Sequence, residues 1–342
     1  MKWGVLMGKN VDFPIDFIIS WVDQDDPTWT KKYNQYAKQS KDEHSEVRYR
    51  DYGTLIYVFR SIEKFAPWVN KVFFVTDHQC PKWLNKYNDK LVMVDHKEYI
   101  EEKYLPTFNS NVIELNYYRI KELSEHFVCF NDDTLINRAV KPTDFFSPNG
   151  DPRDSLAFNA IMPFSIFDHT HVNNMSIINQ KYKKKEIVKR LFTKIFSIKN
   201  YEWNVFSFLL LPWPKFTRFN DPHTPMAYCK SSFQKVLDEF PEIKENTYPQ
   251  KFRSAEDYSI WVIRYCQMLS GKFTPRSIHF GQHYDLDTAS QFAADLSNSK
   301  HALLNINDSF ISNSDEYDKR VEIVQNGLKN KFREKSSFEI QS

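Results

Sequence analysis

The chain has 342 residues, 41% of them hydrophobic and 26% charged, and 46 Lys and Arg against 44 Asp and Glu leave a formal charge of +2. That length buries a sizeable core, and so even a charge balance excludes the global positive field of a nucleic-acid binder. Seven glycines, none in GxGxxG or GxxxxGKS/T spacing, exclude the glycine-rich phosphate cradles of dinucleotide-binding enzymes and P-loop kinases.

The four cysteines, Cys80, Cys129, Cys229 and Cys266, form no CxxC pair; two of them lie inside apolar runs, as small buried hydrophobes do, and the set fits a reduced, cytoplasmic protein. The first residues lack the apolar stretch of a signal peptide. The most apolar window, Val205 to Trp213, is far shorter than the roughly 20 residues of a spanning helix. The expectation is a soluble chain, peripheral to a membrane at most.

Four apolar runs in the first 135 residues read as buried strands, and each ends on a carboxylate. Phe17–Val22 ends on Asp23, Val72–Thr76 on Asp77, Leu91–Val94 on Asp95, and Phe127–Phe130 on Asn131-Asp132-Asp133. Between them, Leu55, Phe59 and Ile62 mark a helix that ends before Pro67, and Ile113, Ile120 and Leu123 mark another. This alternation predicts an α/β fold with a mostly parallel sheet. Ligands of such sheets bind beyond the carboxyl ends of the strands, so the four acidic ends predict a polar rim. The alternative for Asp77 and Asp95 is plain turn and helix capping.

Residues 181–196, KYKKKEIVKRLFTKIF, are basic, with Ile187, Leu191 and Ile195 on one side of a helix. An aromatic and proline-rich run follows from Trp203 to Phe216. A basic helix with an apolar stripe suits an anionic membrane face, with the aromatic run from Trp203 to Trp213 at the interface beside it; the alternative is ordinary packing on the domain. Helices are expected to dominate from residue 220, one carrying Phe233, Val236, Leu237 and Phe240, another Tyr258, Trp261, Val262, Tyr265 and Leu269. The reading is one catalytic unit over 1–312, with a helical insertion over 175–220, and a charged surface helix over 313–342.

Several clusters carry chemistry. Asp23, Asp25 and Asp26 crowd three carboxylates just past a strand, an arrangement that a divalent cation or a sugar hydroxyl relieves, or that a solvated turn explains. Arg48 and Arg50, before Asp51, could fork onto phosphate oxygens or join surface ion pairs. Asn131-Asp132-Asp133 has the form of the acidic strand end that holds a metal on a diphosphate. His223 lies between Pro222 and Pro225 in a rigid loop, where an imidazole could take a proton near neutral pH. Ser254 and Asp257 form an SxxD capping box; Arg253 and Glu256 are not explained by it.

Four blocks in this order resemble the Stealth family of capsule and wall-polymer hexose-1-phosphate transferases, which includes the catalytic subunit of the animal GlcNAc-1-phosphotransferase. They are Ile15–Asp23 with Asp26-Pro27; Arg48–Asp51 with Arg60–Val69 and on to Leu84; Leu105–Phe108 with Phe130–Asp133; and His223-Thr224-Pro225 with Arg253–Asp257. The match spans roughly residues 15 to 270. Thr134-Leu135 departs from it, where a Val-Met-like pair is expected, and this is read as a packing change only. The resemblance implies a nucleotide-sugar transferase core of GT-A-like form. It implies transfer of a hexose 1-phosphate from a UDP-sugar to a hydroxyl of a cell-surface polysaccharide, with release of UMP. His223, Arg253, Asp23 and Glu256 become the catalytic candidates. Arg48, Arg50, Asp51, Asp26 and Asn131 become substrate ligands, and Asp132, Asp133 and Asp257 become ligands of Mg²⁺ or Mn²⁺. The implied partners are a UDP-hexose donor and a glycan acceptor that is lipid-linked and met at the inner membrane face, with no nucleic acid. The rivals are a conventional metal-dependent glycosyltransferase releasing UDP and a non-catalytic, membrane-associated assembly factor.

Overall fold

A computed structural model describes residues 11–37, 50, 52–163, 167–309 and 311–340. Strands β1 (Ile15–Ser20), β2 (Val72–Thr76), β3 (Leu91–Asp95) and β4 (His126–Asn131) are parallel. With the antiparallel β6 (Met226–Cys229) they form one sheet in the order β3-β2-β1-β4-β6. Period-two alternation divides the side chains between two cores. Ile18, Phe73, Val75 and Phe127 point to one, and Phe17, Ile19, Val72 and Phe74 to the other. Burial on both faces is why these strands read as continuous apolar runs. The expected α/β class and mostly parallel sheet are present.

Helices α1 (Pro27–Ala37) and α2 (Leu55–Phe65) lie between β1 and β2. The helix expected over Ile113–Leu123 is shorter: α3 spans Ser110–Leu115, a single 3₁₀ turn follows, and Ile120 and Leu123 are buried from turns. A second sheet joins β5 (Thr134–Ile136), β7 (Gly281–Asp285) and β8 (Leu303–Asn307). β8 runs antiparallel to β5 and parallel to β7. Strands therefore continue past residue 220, where helices were expected to dominate.

Helices α4 (Asp168–Lys181) and α5 (Lys184–Ile195) pack against α8 (Trp261–Ser270) and the first core. The apolar stripe of α5 is spent on this packing, since Ile187, Leu191 and Ile195 are all buried. Several of its cations are spent too. Arg190 donates to Leu269 O, and Lys194 donates to Gly271 O and Phe273 O at 2.7 and 2.6 Å, satisfying carbonyls at and beyond the C-terminal end of α8. α5 is thus an ordinary packed helix, and the membrane reading of its stripe fails. The C-terminal α10 (Ser314–Lys331) packs on α9 (Ala289–Asn298) and buries Val324 and Leu328. Beyond it, Glu339 takes a bidentate pair from Arg60, at 2.8 and 2.6 Å, so the tail is anchored to α2.

Candidate active site

The carboxyl edge of the main sheet gathers the candidate residues. After β1, the Trp21–Asp23 loop is clamped by the buried Gln79, which accepts from Asp23 N at 2.9 Å and donates to Asp23 O at 2.8 Å. After β2, Asp77 takes Lys32 Nζ at 2.6 Å. After β4, the Asn131–Thr134 turn is tied by the Thr134 hydroxyl, which accepts from Asn131 N at 3.0 Å and donates to Asn131 O at 2.8 Å. Thr134 does more than pack: it shapes the acidic turn. Because β6 is antiparallel to β4, with Met226 opposite Cys129, the His223 loop that precedes β6 arrives at this same edge. Gly281 lets it in, since a Cβ there would come within 2.8 Å of the Thr224 side chain. Asp221 anchors the loop from behind, taking Arg264 at 3.0 Å and Tyr265 Oη at 2.8 Å.

Two adjoining pockets result, the halves of the candidate cleft, and they share Ser110 and Arg253. Trp21, Asp77, Thr107 and Asp132 line one half; Glu114, Asn131, His223 and Trp261 line the other. Arg253 sits at the junction, where its Nη2 donates to Ser110 Oγ at 2.8 Å and its guanidinium lies 5.1 Å from the Phe167 ring centroid.

Burial lowers the His223 pKa to about 4, with the neighbouring His283 acting in the same direction. The imidazole is therefore neutral at physiological pH, with its lone pair unprotonated. It lies between Trp261 and His283, at ring-centroid distances of 5.5 and 5.3 Å. Glu114, a residue the sequence did not single out, has its pKa raised to about 7 by burial, against the opposing pull of Arg253. Its one sequence signal is a carboxylate set among Val112, Ile113 and Leu115 in an otherwise apolar turn. Asp133 is lifted to about 6 by burial and faces Asn305 and His283, away from the half of the cleft that Asp132 lines.

Conserved region 1 of the Stealth proteins matches residues 13–41, and conserved region 2 matches residues 48–154. The exopolysaccharide phosphotransferase cps2G of Lactiplantibacillus plantarum is 43% identical over 98% of this chain and 99% of its own length. A capsular polysaccharide phosphotransferase WcwK of Streptococcus pneumoniae is 41% identical over 97% and 99%. The receptor polysaccharide phosphotransferase WefC of Streptococcus oralis is 38% identical over 95% and 99%. The chain belongs to the Stealth family.

Not all residues drawn from the Stealth blocks converge. His223, Arg253, Asn131 and Asp132 line the cleft. Asp23 accepts from Asp25 N at 2.9 Å, and Asp26 accepts from Thr28 N at 2.8 Å at the start of α1, so both carboxylates serve turns. Glu256 is exposed and meets Gln250 at 3.3 Å; the structure does not bring it to the cleft. Arg50 pairs with Asp308 at 3.5 Å and lies over Tyr317, on α10. Arg48 and Asp51 fall outside the described residues. Asp257 is buried and accepts from Asn109, Asn111 and Ser254 N at 2.7, 3.1 and 3.0 Å. It is a brace that joins the start of α3 to the Arg253 loop. Among the described residues no group of three or more His, Cys, Asp or Glu is placed to hold a metal ion. The set Asp132, Asp133 and Asp257 therefore does not fit a resident Mg²⁺ or Mn²⁺ site, because its members point to different surroundings.

Proposed function

We propose that this Stealth protein transfers a hexose 1-phosphate from a UDP-hexose to a hydroxyl of a surface polysaccharide. One observation carries the reading: a neutral, half-buried imidazole and a guanidinium share a cleft at the carboxyl edge of a parallel sheet. The names of the relatives support it, since each is called a polysaccharide phosphotransferase. The acceptor oxygen forms a bond to the sugar-linked phosphorus while the bond to the bridging oxygen breaks, and UMP leaves with that oxygen. His223 takes the acceptor proton. Arg253, at the junction of the two halves, grips the phosphoryl oxygens as charge shifts between them. The half beside Trp21 and Thr107 receives the nucleotide, and the half beside Trp261 receives the acceptor. Mass spectrometry of the nucleotide released from a panel of UDP-hexoses tests this. UMP is expected; UDP would mean attack on the anomeric carbon and a conventional glycosyltransferase.

Ionised Glu114 favours the imidazolium that forms on His223. With a pKa near 7, its carboxylate fraction grows as pH rises through neutrality, and kcat/KM is expected to rise with it. Glu114→Gln should flatten that limb in a pH–rate profile; an unchanged limb would assign it to another group.

Metal use in this proposal is confined to Mg²⁺ or Mn²⁺ carried in by the diphosphate, largely hydrated, with Asp132 as its protein ligand. Excess EDTA is then expected to lower turnover at least about tenfold. Full activity in EDTA would leave Asp132 a role toward sugar or acceptor. The finer partners belong to the same proposal: an acceptor carried on lipid and met at the inner face of the membrane. Among the described residues no helix is long and apolar enough to cross a membrane.

A further inference from the structure

Helix α6 (Trp203–Leu209) is inside out. Its buried side chain is Ser207, whose hydroxyl accepts from Phe158 N at 2.9 Å, and Asn204 donates to Ser197 O at 2.9 Å. The large apolar side chains face outward instead. Ile198, Val205, Phe206, Phe208, Leu209 and Trp213 are between 50% and 85% exposed. Exposed large apolar side chains gathered on one short segment mark an interaction surface.

Charge says what it meets. Residues 181–216 hold nine Lys and Arg against two Glu, a net +7, whereas the rest of the chain holds 37 Lys and Arg against 42 Asp and Glu. Lys185, Lys189 and Lys199 are exposed within this basic segment. Lys184 fixes its geometry, donating to Leu210 O and Trp213 O at 2.6 and 2.8 Å across the C-terminal end of α6. Aromatic and aliphatic side chains flanked by lysines match an anionic bilayer, where the rings sit at headgroup depth and the ammonium groups meet lipid phosphates. The ridge also leads into the site. From Trp213 the chain runs through Arg218-Phe219, paired with Phe158-Asn159, to the His223 loop.

We infer that the 198–213 ridge is a peripheral docking surface for an anionic membrane, holding the cleft beside the bilayer. The binding stands apart from the proposed chemistry; only its purpose, meeting an acceptor carried on lipid, rests on that reading. The surface keeps the aromatic run of the membrane expectation drawn from sequence but not the α5 stripe, which is buried.

Co-sedimentation with vesicles of mixed phosphatidylglycerol and phosphatidylcholine, against pure phosphatidylcholine, tests the inference on the full chain. Binding is expected to require phosphatidylglycerol and to weaken as salt rises. The triple variant Phe206→Ser, Phe208→Ser, Leu209→Ser should lose at least about tenfold in partitioning. It should keep the wild-type melting temperature and its release of nucleotide with a soluble glycan acceptor, because these side chains face outward. Lys185→Gln with Lys189→Gln should weaken binding by roughly fivefold per lysine. Three results would overturn the inference: no binding to phosphatidylglycerol vesicles at low salt, a triple variant that binds as well as wild type, or a dimer that the triple variant dissociates without vesicle binding. The last would show that a second copy covers the ridge.

Discussion

Replacing His223 by alanine is expected to lower turnover by at least about 10²-fold, the usual contribution of a positioned general base. The fold should survive, because the residue caps no helix and its ring packs at the cleft wall against Trp261 and His283. One confounding effect is in the backbone. His223 has φ of 45°, in the left-handed region, which costs most residues energy but suits His and Asn comparatively well. His223→Asn is therefore the sharper variant: it holds the loop conformation, removes the basic nitrogen, and should be as inactive as alanine. Stability against acid offers a second readout. The imidazole resists protonation when folded, its pKa falling from 6.5 to about 4. Its contribution is thus complete above pH 6.5 and is lost as pH falls toward 4. His223→Asn should lose less stability than wild type across that window in urea titrations at stepped pH. Wild-type-like turnover in either variant would take His223 out of the mechanism.

The sequence made the first half of the fold legible because β1, β2 and β4 are buried on both faces and spell unbroken apolar runs. β5 and β6 have three and four residues, too short for any period to register. β7, GQHYD, has no buried residue and is polar throughout, so neither alternation nor a run marks it. The chemistry followed the same division. His223 and Arg253 stand in rigid, polar loops and advertise themselves. Glu114 hides in a helix of six residues, and its role emerges only when Arg253, 139 positions later, folds over the same cleft. The carboxylates that do not line the cleft share one feature. Asp26 and Asp257 sit where a turn or loop needs backbone amides satisfied, and spacing cannot tell such a brace from a ligand. The α5 stripe errs in the opposite sense: its period is that of a lipid-facing helix, and only the position of α8 shows that protein covers it.

Arg253→Lys is expected to be nearly as damaging as Arg253→Ala, each lowering kcat/KM by about 10²- to 10³-fold, the range for removing a donor aimed at developing charge. One arm of the guanidinium, Nη2, is occupied by Ser110 Oγ at 2.8 Å, and the Phe167 ring lies 5.1 Å away. The group is thus oriented before substrate arrives, at the junction of the two halves of the cleft. A lysine ammonium supplies charge but neither the fork nor the planar stacking. It can reach Ser110 or a phosphoryl oxygen, but not both in fixed register. The loop itself should be unaffected by either change, because Asp257 holds it through Asn109, Asn111 and Ser254 N without Arg253. Equal melting temperatures for wild type, Arg253→Lys and Arg253→Ala are therefore expected beside the loss in rate. Were Arg253 only a partner for nearby carboxylates, an exposed pair of that kind would contribute about 0–1 kcal/mol and lysine would restore most of the activity. The ratio of the two variants' kcat/KM decides between a phosphate grip and a surface pair.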